Sequence, residues 1–279
     1  HPPVDLDESE GLMTTSVSGH TVPHRVSPLG TPAGNQAYNA FVAGVLAILG
    51  NVRLFWLPLR SDTTATTCVD RLADVFTYDA SIATRISSLG SGIQVDFDGT
   101  NDEADSPDSD DHSFGDSAVD EAFSVGVFVN PDEAAAAQTF LSKMSAATAE
   151  EWELGITSSD HPHFRLVDES ASADIERRDA TDIGASNVFL VGTYDGSAAQ
   201  TGIRLYVNAA RVDDTDDSTG AYVAMENTAG VLTLGARYTT QEQFFNGKMM
   251  FAFVCAKELT IDEVWTIKEL LNAFYNLSL

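Results

Sequence analysis

Carboxylates beside an aromatic ring are the residues of this chain whose types and spacing could do chemistry. Glu150, Glu151 and Glu153 flank Trp152. On a strand Glu151 and Glu153 share a face. Two carboxylates about 5 Å apart are what retaining sugar hydrolysis requires. Asp174 and Glu176 repeat the same spacing, in an Ala/Ser-rich segment that runs into Arg177-Arg178, a composition that suits a solvated loop or edge strand. Trp152 among acids has the makings of a sugar-stacking platform, and a surface strand accounts for it equally. His161-Pro162-His163 has ligand-like types, but no Cys or acid stands at a recognisable metal spacing from it. No nucleophile constellation and no Gly-rich phosphate loop occurs, so no residue is assigned a catalytic role.

The elements that must position these groups are strands. Residues 188–194 alternate Val188, Leu190, Gly192 and Tyr194 with Phe189, Val191 and Thr193; after Asp195-Gly196-Ser197, Ile203, Leu205 and Val207 alternate again. Period-two alternation on both sides of a Gly-containing loop predicts an antiparallel hairpin. Its inward residues are core, and Asp195-Gly196 is explained as turn chemistry. Similar short strands are predicted at 52–59, 92–99, 123–130, 139–143, 151–156, 163–168, 231–237 and 248–256, the last buried on both faces, with Phe251, Phe253 and Cys255 opposite Met250, Ala252 and Val254. Residues 132–138 suit one helical turn.

Helices are predicted only at the ends. Residues 1–34 hold five prolines and few large apolar groups, which predicts an extended arm. In residues 35–49, Tyr38, Phe41, Val42, Val45, Leu46 and Leu49 recur at helical spacing, and Gly50-Asn51 stops the helix. Its apolar stripe either packs on its own domain or docks on a neighbouring subunit through Tyr38, Phe41, Val45 and Leu49. At the other end, Thr260 and Glu263 have capping-box spacing, ahead of a stripe of Val264, Ile267, Leu270, Leu271 and Phe274. The division is therefore 1–51, arm and docking helix, and 52–279, a β domain.

Composition removes whole classes of partner. With 42 acidic and 15 basic residues the formal charge is −27, which repels nucleic acid and anionic membranes. The longest apolar run, residues 40–49, is too short to span a bilayer. A chain beginning at His1 is expected to have been processed or trimmed. Two cysteines are too few for a disulfide framework. Cys255, inside an apolar run, reads as a buried thiol; a Cys68–Cys255 bridge requires the first and last strands to be neighbours.

The order of motifs resembles the laminin-G-like jelly roll of the concanavalin A-like lectin/glucanase superfamily. Six pieces carry the resemblance: residues 55–59 (FWLPL), 95–102 (VDFDGTND), 123–125 (FSV), 191–196 with 205–208 (VGTYDG, LYVN), 234–235 with 245–249 (LG, FNGKM), and 259–264 (LTIDEV). Two departures stand out. Val127-Phe128 occupies a strand that often holds Trp in the family, and Asn208 is followed by Ala209 rather than Gly. Ala resists positive φ, so a turn longer than two residues or of another type is expected there.

The resemblance implies an all-β fold, a two-sheet antiparallel jelly-roll sandwich with an N-terminal extended arm plus helix and a short C-terminal helix. It also implies calcium at a rim of the sandwich as the one candidate cofactor, with Asp98, Asp102 and Asp105 in one loop and Asp213 and Asp214 in another; hydration explains such loops as well. Jelly rolls with such arms resemble tailed-phage virion accessory proteins. The leading expectation is thus a non-enzymatic structural or adhesion protein, virion-surface or extracellular, associated with itself as a trimer and with a capsid or tail. The alternative is a carbohydrate-binding module presenting Trp152, Tyr194 and Tyr238. A glycoside hydrolase using Glu151 or Glu176 ranks third.

Overall fold

A computed structural model describes residues 14–17, 20–23, 32–58, 67–72, 74–78, 86–132, 136–145, 148–237 and 243–279. In chain order the elements are β1 (Thr14–Val17), β2 (His20–Pro23), α1 (Pro32–Leu49), β3 (Val52–Trp56), β4 (Thr67–Val69), β5 (Val75–Tyr78), β6 (Ile86–Leu89), β7 (Gly92–Asp98), β8 (Ala104–Ser106), β9 (Phe123–Pro131), β10 (Gln138–Met144), β11 (Glu150–Ile156), β12 (Pro162–Asp168), β13 (Ala173–Arg178), β14 (Val188–Tyr194), β15 (Ile203–Val207), β16 (Ala210–Arg211), β17 (Thr215–Thr219), β18 (Leu232–Leu234), β19 (Asn246–Cys255) and α2 (Ile261–Tyr275).

Two antiparallel sheets face each other. One is nine-stranded, in the order β17-β13-β12-β11-β10-β18-β8-β5-β4; the other is eight-stranded, in the order β16-β15-β14-β9-β19-β7-β6, with β3 also paired to β19. This is the predicted jelly-roll sandwich. Strand alternation fills its interior. On β9, Phe123, Val125, Val127 and Val129 point between the sheets and meet Trp152, Leu154, Phe164 and Leu166 of the other sheet. β13 and β17, both rich in acids, extend the nine-stranded sheet beyond the predicted strands.

A third layer covers the outer face of the eight-stranded sheet. Phe128, Phe189, Phe251 and Phe253 point outward there and are buried by α1 and α2. Gly126 leaves room for this packing, since a side chain at that position would collide with the Phe253 ring. Phe41 of α1 stacks on Phe274 of α2 at 4.7 Å and meets Phe251 edge-on at 5.6 Å. Tyr38, Phe41, Val45 and Leu49, the proposed docking residues, are all buried in this layer. The stripe is thus occupied by its own domain: the sheet beneath it is aromatic, and each fully buried large side chain contributes about 1.5–3 kcal/mol. Lys257 Nζ bonds the Ile48 carbonyl at 3.2 Å, placing a cation at the C-terminal end of α1, where the helix dipole favours it. Gly50, at φ +68°, ends the helix as predicted.

Two local expectations change. The register of β19 shifts between Met249 and Phe251, which turns Met250 to the helix side with Phe251. The turn after β15 has two residues, pairing Val207 with Ala210. Asn208 and Ala209 both take positive φ, 51° and 66°; Asn208 holds the turn by exchanging bonds with Phe189, at 2.8 Å through its backbone and 2.9 Å through its side chain. Residues 133–135, inside the predicted helical turn, lie outside the described residues. The capping box forms as predicted: Thr260 Oγ1 accepts from Glu263 N, and Glu263 Oε2 accepts from Thr260 N.

Candidate functional site

The acids around Trp152 do not form a catalytic pair. A register shift between Lys143 and Met144, opposite residues 150–152, separates Glu151 from Glu153. Glu151 is fully buried. It accepts bonds from Ser113 Oγ at 3.1 Å and Thr228 N at 2.9 Å, and lies 3.6 Å from the buried Lys143 ammonium. Burial pushes its carboxyl up, and Lys143 works in the opposite direction. Glu153 and Glu150 turn instead to the outer face, where Arg165 lies 3.3 and 3.5 Å from them and Arg237 3.4 and 3.5 Å. Both carboxylates are thus consumed in a desolvated ionic lattice.

That lattice belongs to a row that crosses the sheet in register: Asp105, Thr233, Ser142, Glu153, Arg165, Glu176 and Asp217 are successive cross-strand partners. Glu176 is 3.4 Å from His163 and 3.0 Å from Arg178. Burial opposes ionisation of Glu176, but bonds from His163 and the charge of Arg178 outweigh it and hold its carboxyl below the usual range. The face is polar, yet its central groups are buried.

The predicted aromatic platforms are core side chains. Trp152 has no exposed surface, packs against Phe123 at 6.0 Å, and donates to the His112 carbonyl at 3.0 Å. Tyr194 is equally buried; its hydroxyl and that of Tyr222 both donate to Asp120 at 2.7 Å. Neither ring can stack on a sugar, because the same alternation that makes them large apolar residues sends them inward. Tyr238 lies outside the described residues.

The proposed calcium ligands are engaged with protein donors. Asp102 accepts from Asp98 N and Asp98 from Thr100 N, inside one turn. Asp105 faces Thr233 at 2.7 Å in the outer row. Asp213 is held by Arg211 and Arg177, and Asp214 accepts from Ala180 N at 3.0 Å. Among the described residues no group of three His, Cys, Asp or Glu side chains converges as a metal site. Cys68 and Cys255 are both free and buried in different cores, on either side of the eight-stranded sheet.

The open chemistry lies elsewhere, where α2 begins beside the β15–β16 edge. A cleft of about 400 Å³ is lined by Arg204, Tyr206, Arg211, Glu258, Thr260 and Ile261. Arg204 pairs with Glu258 across it. Ile261 is 49% exposed; one turn along the same helix face, Trp265 is 53% exposed. Trp265 is the one large exposed aromatic among the described residues, and Lys268 stands 5.9 Å from its ring. Arg211 also lines a second, shallower cleft of about 660 Å³ with Asp179, Thr181, Val212, Asp213 and Asp214. The signal for Trp265 was present in the sequence: it sits off the apolar stripe of α2, so that helix must present it to solvent. Nothing local marked Arg204 or Arg211.

A family model described as the concanavalin A-like lectin/glucanases superfamily matches residues 98–264, more than half of the chain. No curated protein sequence matches it. Similar solved structures include the binding domain of Paraclostridial Mosquitocidal Protein 1, with a TM-score of 0.60 at 10% identity over 79% of this chain and 52% of that one. A structure of botulinum neurotoxin type C, named for cell entry that depends on two ganglioside molecules, has a TM-score of 0.57 at 14% identity over 81% and 52%. The binding domain of botulinum neurotoxin DC in complex with SialylT has a TM-score of 0.57 at 14% identity over 80% and 52%. The chain spans about half the length of these solved chains, and at these identities the likeness is one of fold.

Proposed function

The chain belongs to the concanavalin A-like lectin/glucanases superfamily, and we propose that within it this chain is a non-enzymatic carbohydrate-binding adhesion module that uses the cleft at the start of α2. The observation that carries the reading is Trp265, half-exposed on the helix face whose preceding turn contributes Ile261 to a cleft that also holds charged side chains. Sugar rings present C–H faces that pack on an indole and hydroxyls that exchange bonds with planar guanidinium and carboxylate groups. Arg204, Arg211 and Glu258 supply such groups.

Binding is favoured over hydrolysis because a retaining glycosidase needs two carboxylates that reach the glycosidic bond. Here Glu151 is fully buried, and Glu150 and Glu153 are buried and tied to Arg165 and Arg237. Solved structures of similar fold that are named for ganglioside and sialylated ligands add support at the level of fold. Attachment to a larger assembly remains part of the proposal. The buried stripe of α1 is unavailable for it, so attachment would fall to residues ahead of that helix.

A glycan array probed with the purified chain and with Trp265→Ala tests the reading. The wild type is expected to bind a defined set of glycans, and the variant to lose that binding while melting at an unchanged temperature. No binding to any glycan, or binding untouched by the substitution, would overturn it.

A further inference from the structure

Arg211 stands where the two clefts meet and lines both. Its side chain is rigidly placed: Nε and Nη2 bond Asp213 at 2.7 and 2.8 Å, and Asp213 is itself held by Arg177 and by Leu205 N. Half of the side-chain surface remains exposed. The pair uses two of five N–H donors, leaving a fixed fork of donors beside both clefts.

Charge decides what those donors meet. Across the two clefts the ionised lining groups are Arg204 and Arg211 against Glu258, Asp179, Asp213 and Asp214. Both guanidiniums already have carboxylate partners, so the lining carries excess negative charge within a chain of formal charge −27. A carboxylated or sulfated sugar entering here is repelled at long and at short range. A neutral sugar is not: its hydroxyls donate to the exposed Asp214 and accept from Arg211.

We infer that the ligand is an uncharged oligosaccharide long enough to lie along both clefts, with Arg211 as its central donor. This rests on the carbohydrate-binding reading and narrows it. The test is calorimetric titration, at low salt, of neutral oligosaccharides of increasing length, lactose among them, each set beside its sialylated or sulfated form. The neutral form is expected to bind at least tenfold more tightly than its charged counterpart, and affinity should rise with length until both clefts are filled. Arg211→Ala should weaken the long ligands about tenfold or more, as expected for loss of hydrogen bonds to a charged group, and single sugars much less. Arg211→Lys, which keeps the charge and loses the fork, should weaken them similarly; circular-dichroism melting establishes that both variants fold.

Equal or tighter binding of the charged forms overturns the inference and leaves the carbohydrate reading intact. So does a length-independent affinity, or an Arg211→Lys variant that binds like the wild type. No binding anywhere in the panel overturns both.

Discussion

Arg211 grips Asp213 side-on across the end of the β15–β16 hairpin, with Nε on one carboxylate oxygen at 2.7 Å and Nη2 on the other at 2.8 Å. The arginine is 51% exposed and the aspartate side chain 1%. A solvent-facing donor is thus anchored on a buried acceptor, which converts a flexible side chain into a fixed part of the surface.

The same pair sets a pH dependence. Burial would raise the Asp213 carboxyl, but bonds from Arg211 and Leu205 N outweigh it and hold it below its ordinary value. A carboxyl whose folded pKa is depressed stabilises the fold above its unfolded pKa of about 3.9, and loses that contribution as pH falls through the folded value. Urea melts between about pH 6 and pH 2 should show stability falling at the acid end. Asp213→Asn should flatten part of that slope; Glu176, also depressed, keeps the remainder from vanishing.

The two tryptophans should separate folding from binding. Trp152→Ala empties a fully buried site and removes the bond to the His112 carbonyl; it should cost about 3–5 kcal/mol. Trp265→Ala removes a ring from solvent and should change stability by no more than about 0.5 kcal/mol. Denaturant unfolding of both variants checks the contrast.

Ala209 should yield to glycine. It holds φ at +66°, a conformation that costs an L-residue about 1–2 kcal/mol, against roughly 0.8 kcal/mol for one buried methyl. Ala209→Gly should therefore stabilise the chain by up to about 1 kcal/mol, read as a rise in melting temperature.

The cysteines should be silent until the chain unfolds. Burial pushes Cys68 up to about 11 and Cys255 up to about 12, and the thiolate is the reactive form. A thiol reagent at neutral pH should titrate neither in the native protein and both in denaturant. One equivalent or none in denaturant would contradict two free thiols.

Much of the fold was legible because its signals are local. The alternation in residues 188–194 and 203–207 specifies β14 and β15 and the face each buries, and Thr260 with Glu263 specifies the start of α2. β13 and β17 were harder to read: Asp174, Glu176, Asp216 and Asp217 look like loop residues until Arg165 of β12 pairs with Asp174, and Arg177 and Arg178 of β13 pair with Asp216 and Asp217 of β17, Arg178 also with Glu176 within β13. The predicted site was harder still, since Trp152 and Trp265 are chemically identical and only their surroundings differ.

By itself, then, the sequence determined most of the long strands and both helices, which of their faces are apolar, and that the chain is strongly negative. These follow from side-chain periodicity and from charge, both of which can be summed along the chain. Tertiary structure alone decided that α1 covers its own sheet, that Glu151 and Glu153 part company, and that Arg204, Arg211 and Ile261 meet in one cleft. Those outcomes depend on register and on the closure of long loops, where residues some fifty positions apart become neighbours for reasons that neither of them carries alone.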